Sequence, residues 1–128
     1  MSPPAARLGD RIVALDMHLI QPPPPATPVM VPHPFNGIIT GNTSPNVTIA
    51  GAAAATVGST ATNTPPHIPI GGSFVNPPTN QGSVQAGSAT VSINGRAAAR
   101  AGDTARTCND TGRLGGLVVA AGTVVIGG

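Results

Sequence analysis

The most evident shortage in this chain is of charge. Among 128 residues there are six basic and four acidic side chains, all of them Arg or Asp, because Lys and Glu are absent. The arginines are scattered along the sequence, and Trp and Tyr are absent beside two Phe. A basic patch with aromatic rings that stack on bases is therefore missing, which excludes nucleic acid as a partner.

Two further absences bear on where the protein works. Cys108 is the single cysteine, so the chain forms no internal disulfide. The N-terminus, MSPPAARLGD, lacks the basic and then apolar pattern of a secretory signal. The most apolar stretch, 117–126, has about half the length that crosses a bilayer. We therefore expect assembly in the cytoplasm without a signal peptide.

Glycine and proline are abundant, at 17 and 15 residues, as in many disordered chains. However, 40% of the residues are hydrophobic and the formal net charge is only +2, which argues against disorder. Val and Ile outnumber Leu about four to one, which favours strands and excludes a helical bundle. Many of the apolar residues are Ala, which buries little area. The sequence predicts one all-β domain that needs a metal, a partner or both for stability.

Two segments repeat without a gap at an offset of 44 residues: 44–59, SPNVTIAGAAAATVGS, and 88–103, SATVSINGRAAARAGD. Each contains V-x-I-x-G, then an Ala-rich stretch and a Gly. The Ala-rich half recurs at 5–10, and the V-x-I-x-G half recurs at 124–128. A low-complexity alanine run on the surface is the alternative interpretation. The repeat instead predicts three like units.

The first unit is divided between the two chain ends. We expect units at about 44–67 and 88–108 and a split unit made of 117–128 and 1–18, all in one domain, 1–128. This division requires that the chain ends lie side by side, so that three units close a ring and remove an exposed sheet edge. Small alanines permit close approach near the axis of such a ring.

Four side chains that bind metals lie in the segments that follow the Ala-rich turns. They are His18, His33, His67 and Cys108. Prolines flank His33 and precede His67, which restricts the backbone before any ligand binds. Three imidazoles and a thiolate suit a tetrahedral, structural Zn²⁺ site without an open position. The spacing matches no zinc-finger template, so unrelated surface histidines are the alternative, but the repeat favours convergence of the four donors.

The other polar side chains are interpreted more simply as structural. Asp10 and Asp103 follow Gly in equivalent turns, and we expect them to cap backbone amides. We expect Arg7 and Arg100 to bind turn carbonyls or to pair with these aspartates. No nucleophile with a neighbouring base and no phosphate-binding glycine loop stands out, so we predict no catalytic and no cofactor-binding residue.

The motif Pro4-Ala5-Ala6-Arg7, echoed at 98–100, resembles the one that names the PAAR-repeat proteins. With the threefold repeat and the His and Cys complement, the resemblance covers nearly the whole chain. PAAR proteins form the sharp tips of contractile injection systems, including type VI secretion and phage-tail-like particles. In the middle unit, 56–59 has Thr and Ser where the other two units have Arg and Asp.

The resemblance implies a small conical β structure with pseudo-threefold repeats, whose triangular base caps a trimeric VgrG-like spike, one tip per trimer. It also implies Pro/Gly-rich arms that converge on one zinc ion held by His18, His33, His67 and Cys108. The implied function is non-enzymatic puncturing of a target membrane from the end of an exported particle, with an effector as a further partner. Two alternatives stay open: a small zinc-dependent hydrolase, which needs an activated water and a general base, and a Pro/Gly-rich adaptor that orders on binding.

Overall fold

The computed structural model describes residues 3–112 and 114–127, and in these residues all regular secondary structure is β, without a helix. The prediction of an all-β fold is confirmed. Within the same residues there is also no helix long and apolar enough to span a membrane. The strands are β1 (Arg11–Gln21), β2 (Val29–Gly41), β3 (Thr48–Ile49), β4 (Ala52–Ala53), β5 (Thr60–Asn63), β6 (Ser73–Phe74), β7 (Gln81–Val84), β8 (Ser92–Ile93), β9 (Arg96–Ala97), β10 (Thr104–Arg106) and β11 (Gly116–Val119).

Six of these strands form a closed ring. Its order is β1, β2, β5, β7, β10 and β11, each antiparallel to the next, and β11 pairs again with β1. Closure leaves no edge strand within the ring, so the backbone donors and acceptors of its short strands find partners. The ring encloses the main core, whose larger members are Ile12, Phe35, Ile39, Val84 and Val118.

A layer of alanines lies at one end of this core and carries the pseudo-threefold repeat. The amide of Ala6 donates to the carbonyl of Ala99, that of Ala99 to Ala55, and that of Ala55 to Ala6, at 2.9 to 3.0 Å. The three hydrogen bonds therefore form a cycle. All three side chains are fully buried, and only a methyl group fits where three backbones meet this closely. We call 4–10, 53–59 and 97–103 the alanine layer.

Each segment of the alanine layer ends in the same turn. Gly9, Gly58 and Gly102 have φ values of 93, 94 and 88°, a region that glycine adopts without the steric cost of a side chain. Each turn is closed by a side-chain oxygen three residues after the amide that it caps: Arg7 N donates to Asp10 Oδ2 at 2.9 Å, Thr56 N to Ser59 Oγ at 2.9 Å, and Arg100 N to Asp103 Oδ2 at 2.7 Å. The expectation that the two aspartates cap backbone amides is confirmed.

The two arginines of the repeat also behave as expected. Arg7 Nη1 donates to the carbonyls of Ile49 and Ala50 at 3.3 and 3.0 Å. Arg100 pairs with Asp103 at 2.9 Å, and this carboxylate raises the pKa of the guanidinium. In the middle unit Thr56 and Ser59 close the turn without a charge, so the fold of the turn depends on the capping oxygen.

Hairpins lie on the far side of the alanine layer from the ring. Strands β3 and β4 form one and β8 and β9 another. At the corresponding place in the first segment the two chain ends meet, because Ala5 N donates to Val124 O at 2.8 Å and Ile126 N to Pro3 O at 3.0 Å. The boundaries of the three units stay a prediction.

Beyond the ring, β1 and β2 continue as a two-stranded ribbon. Their pairing runs from Arg11↔Ile38 to Ile20↔Val29, whereas β11 and β5 cover only the part near the ring. The even residues of β1 face inward, and they include two polar side chains, Asp16 and His18. The Pro-rich segment after residue 21 thus returns as strand β2, which tolerates proline because no described strand pairs with 29–36 on its other side.

Candidate metal centre

The inner face of the ribbon and two adjoining segments hold a cluster of metal-binding side chains. Asp16 and His18 lie on β1, His67 lies in the segment after β5, and Cys108 follows β10. One donor atom from each of these four residues lies within 4.8 Å of the other three. The structure therefore brings together three of the four residues proposed from the sequence and adds Asp16.

The separations between donor atoms fit a common ion. Cys108 Sγ lies 3.7 Å from His18 Nε2 and 3.3 Å from Asp16 Oδ2, and the same oxygen lies 3.0 Å from His67 Nε2. Two vertices of a tetrahedral zinc site with one sulfur and one nitrogen ligand are separated by about 3.5 Å. These four side chains could hold a metal ion without a large movement.

His33 is adjacent to the cluster but lies outside the four-donor group. Its strand position places it opposite Asp16, and its ring centroid lies 5.4 Å from that of His18 and 5.6 Å from that of His67. Nδ1 donates to the carbonyl of Val31 at 2.8 Å, which leaves the lone pair of Nε2 free. This buried nitrogen has no hydrogen-bond partner among the described residues. A buried polar atom without a partner is costly and fits a position reserved for a ligand.

The loop after β10 orients His18. Asp110 Oδ1 accepts a hydrogen bond from His18 Nδ1 at 3.2 Å, so Nε2 is the nitrogen that faces Cys108. The other oxygen of Asp110 accepts from the amide of Leu19 at 2.8 Å, and Asn109 accepts from the amide of Met17 at 3.1 Å. The loop that carries Cys108 is thus fastened along the free edge of β1.

Two phenyl rings pack against the histidines of the cluster. Phe74 lies with its ring centroid 5.5 Å from that of His18 and 5.4 Å from that of His33, and Phe35 lies 6.1 Å from His67. These are both of the phenylalanines in the chain. They give this part of the cluster an apolar wall.

Burial shifts the pKa values of two side chains of the metal-free cluster, Cys108 and His67. It raises the pKa of the Cys108 thiol to about 12, and the hydrogen bond and charge of Asp16 act in the same direction. Burial also lowers the pKa of His67, although Asp16 opposes this shift. A neutral imidazole is the form that binds metals, and a thiol that is protonated at neutral pH releases its proton when a metal binds.

Sequence reasoning missed Asp16 because polar side chains other than the histidines and the cysteine were interpreted as structural. That interpretation holds for Asp10 and Asp103 but fails for Asp16, which is fully buried on a strand. The signal was present: in a strand, Asp16 and His18 are two residues apart and therefore share one face.

The known protein families give one match. A family model described as the PAAR motif matches residues 76–128, a stretch that includes Cys108. No curated protein matches the chain. The PAAR family is structural rather than catalytic, and the cyclic backbone bonds described above relate the matched stretch to 4–10 and 53–59. Residues 76–128 therefore carry the PAAR motif, consistent with a PAAR-repeat protein.

Proposed function

We propose that the chain is a structural spike tip of a contractile injection system that caps a trimeric VgrG-like spike, one tip per trimer, and punctures a target membrane. The PAAR motif supports a spike-tip role in such systems generally. In this proposal the protein is not an enzyme, assembles in the cytoplasm and leaves the cell at the end of the particle. The observation that carries the proposal is the cycle of hydrogen bonds in the alanine layer.

A single chain with three like units solves a symmetry problem. A closed trimer presents three identical surfaces around its axis, and a monomeric cap needs three similar surfaces to contact all of them. Val47, Val91 and Val124 accept equivalent hydrogen bonds from Ala54, Ala98 and Ala5. These three valines occupy equivalent places around one axis.

We propose that the spike contacts the side that carries the hairpins. We call it the hairpin face and define it by the aliphatic residues of the three V-x-I patterns: Val47, Ile49, Val91, Ile93, Val124 and Ile126. Several of them pack on a small second core around Ala5 and Ala98, while Val47 and Val124 are 36% and 41% exposed. Burial of these apolar side chains by a partner would supply stability that the small core lacks.

At the opposite end, we propose that His18, His33, His67 and Cys108 hold one structural zinc ion. A zinc ion bound there would cross-link β1, β2 and the segments after β5 and β10. His18 and Cys108 already face each other at 3.7 Å, and His33 contributes its free nitrogen. Such a cross-link stiffens the end of the molecule that carries the long ribbon.

A reconstitution with a trimeric spike protein tests the capping function. We expect native mass spectrometry to show one copy of the chain per three spike chains. Val124→Asp places a charge on the hairpin face and is expected to abolish the complex. Leu15→Asp is the matched control, because Leu15 is 60% exposed on the outer face of the ribbon. Binding of three copies per trimer, or equal loss with both variants, would contradict the proposal.

A further inference from the structure

Asp16 is the most deeply buried acidic side chain of the cluster. Its relative exposure is 0%. Its partners are the hydroxyl of Thr107, the thiol of Cys108 and the imidazoles of His67 and His18. No arginine is among its partners in the part of the chain that the structure describes. A buried carboxylate without a cation is strongly unfavourable.

We propose that Asp16 binds the metal directly through Oδ2, so that the centre has five protein donors: Asp16, His18, His33, His67 and Cys108. The inference rests on the metal centre proposed above. It departs from the set of three imidazoles and one thiolate that the resemblance implies, because it adds an oxygen donor.

Charge balance supports the additional donor. A divalent ion with one thiolate and three neutral imidazoles leaves a net charge of +1 in a site lined by two phenyl rings. The carboxylate of Asp16 brings the total to zero. A neutral group of charges costs far less to bury than one with a net charge.

The position of Oδ2 supports the same conclusion. This oxygen lies 3.0 Å from His67 Nε2, 3.3 Å from Cys108 Sγ and 3.9 Å from His18 Nε2. It therefore contacts, or nearly contacts, all three of the other donor atoms in the group. Oδ2 therefore lies close to any ion that these three atoms would bind together.

Thr107 acts as the positioning residue for this carboxylate. Its hydroxyl donates to Asp16 Oδ1, which fixes the plane of the carboxylate and leaves Oδ2 facing the cluster. Thr107 immediately precedes Cys108, so the same turn positions one anionic donor and supplies the other. Fixing a ligand through a hydrogen bond of this kind typically changes metal affinity by about 10-fold to 100-fold.

The coordination number of the loaded wild-type protein tests the inference without any variant. For the zinc form, X-ray absorption is expected to show one sulfur and four nitrogen or oxygen neighbours. For the cobalt(II) form, we expect a thiolate charge-transfer band together with the weak d–d absorption of a five-coordinate ion. One sulfur with three light neighbours, and intense tetrahedral d–d bands, would overturn the inference.

Asp16→Asn then removes the anion while it keeps the size of the side chain. We expect zinc affinity, measured by competition with a chromophoric chelator, to fall by more than about 100-fold, beyond the range typical of an outer-shell partner. The d–d bands of cobalt should become stronger as one ligand is lost. Asp103→Asn is the matched control, because it removes an equal charge from the alanine layer, and both quantities should stay unchanged. Loss of affinity in Asp16→Asn with an unchanged cobalt spectrum would contradict direct binding.

The two proposals fail in different ways. A chain that retains no metal from zinc or cobalt solutions would overturn the metal centre itself and this inference with it. A chain that retains one ion per molecule with four donors would overturn only the fifth donor. Thr107→Val is expected to weaken zinc binding less than Asp16→Asn does and to change the cobalt spectrum less. If Thr107→Val has as little effect as the control Asp103→Asn, then Thr107 does not position the carboxylate.

Discussion

The alanine layer and the metal centre lie at opposite parts of one small molecule, and they are built from different interactions. The alanine layer uses backbone hydrogen bonds that recur three times, and its central side chains are methyl groups. The candidate metal centre uses side-chain donors that the repeat does not copy, from strand β1 and from the segments after β5 and β10. A repeated structure therefore supports a centre that has no symmetry of its own.

This difference has consequences for stability. In the alanine layer the cyclic backbone hydrogen bonds of Ala6, Ala55 and Ala99 are all made within the protein, so they need no ligand. The metal centre instead buries Asp16, His18 and His33, and His33 Nε2 has no hydrogen-bond partner among the described residues. Buried polar groups of this kind cost free energy until a ligand binds them.

Removal of the metal should produce the largest difference between the two regions. We expect a strong chelator to lower the thermal midpoint by at least about 10 °C, because a structural zinc ion contributes several kcal/mol or more. Hydrogen exchange should accelerate in 64–80 and 107–112. The amides of Ala6, Ala55 and Ala99 should stay protected. An unchanged thermal midpoint would show that the metal does not stabilise the fold. Equal loss of protection in both regions would show that the alanine layer depends on the metal as much as the metal centre does.

The thiol of the metal-free protein should be unreactive at neutral pH. Its pKa is raised to about 12 from 9.0, so we expect alkylation of Cys108 at pH 8 to be at least about 10-fold slower than in the urea-unfolded chain. The alkylation rate of the folded protein should continue to rise up to about pH 12. The rate of the unfolded chain should level off at a lower pH, because its thiol has the ordinary pKa.

The raised pKa of Cys108 also makes the stability of the metal-free fold depend on pH. The folded-state pKa of this acid lies above the unfolded value, so the buried neutral thiol stabilises the metal-free fold below pH 9, and this contribution is lost as the pH rises toward 12. An alkylation rate equal to that of the unfolded chain at pH 8 would contradict the burial of the thiol.

Much of the alanine layer could be predicted from the sequence, because repetition makes its pattern visible. The matched segments at 44–59 and 88–103, with the partial copies at the chain ends, indicated where like backbones recur. The capping roles of Asp10 and Asp103 followed from their position after glycine. These features are local, and short-range rules are sufficient for them.

The metal centre could be predicted only in part, because its members meet through pairing between distant strands. His18, His67 and Cys108 were identified by their chemistry, yet nothing local shows that Asp16 lies opposite His33. That register follows from the long pairing of β1 with β2, whereas the sequence indicated only Pro/Gly-rich arms that converge on a metal and not a long ribbon. The coordination roles of His18, His33, His67 and Cys108 stay predictions.

Overpacking should affect the three segments of the alanine layer equally. Leu at Ala6, Ala55 or Ala99 inserts three heavy atoms where backbones are in contact, and we expect each substitution to lower the free energy of unfolding by about 1–3 kcal/mol or more. Ala89→Leu, at an exposed position, is the control and should have little effect. Urea denaturation measures all four, and a single sensitive position among the three would show that the layer is not equivalent around its axis.

Removal of the turn caps should produce the smallest effect and tests whether charge matters in the repeat. Asp10→Ala, Ser59→Ala and Asp103→Ala each leave one backbone amide without its acceptor, which costs about 1 kcal/mol. The ion pair of Asp103 with Arg100 lies near the surface and is expected to add less than about 1 kcal/mol. If the uncharged cap at Ser59 proves as important as the two aspartates, then the capping oxygen is what the repeat requires. Urea denaturation at low and at high salt measures the free energy of unfolding of each variant. If Asp103→Ala lowers it several times more than Ser59→Ala does, then the charge of the cap matters and the middle unit is stabilised differently from the other two.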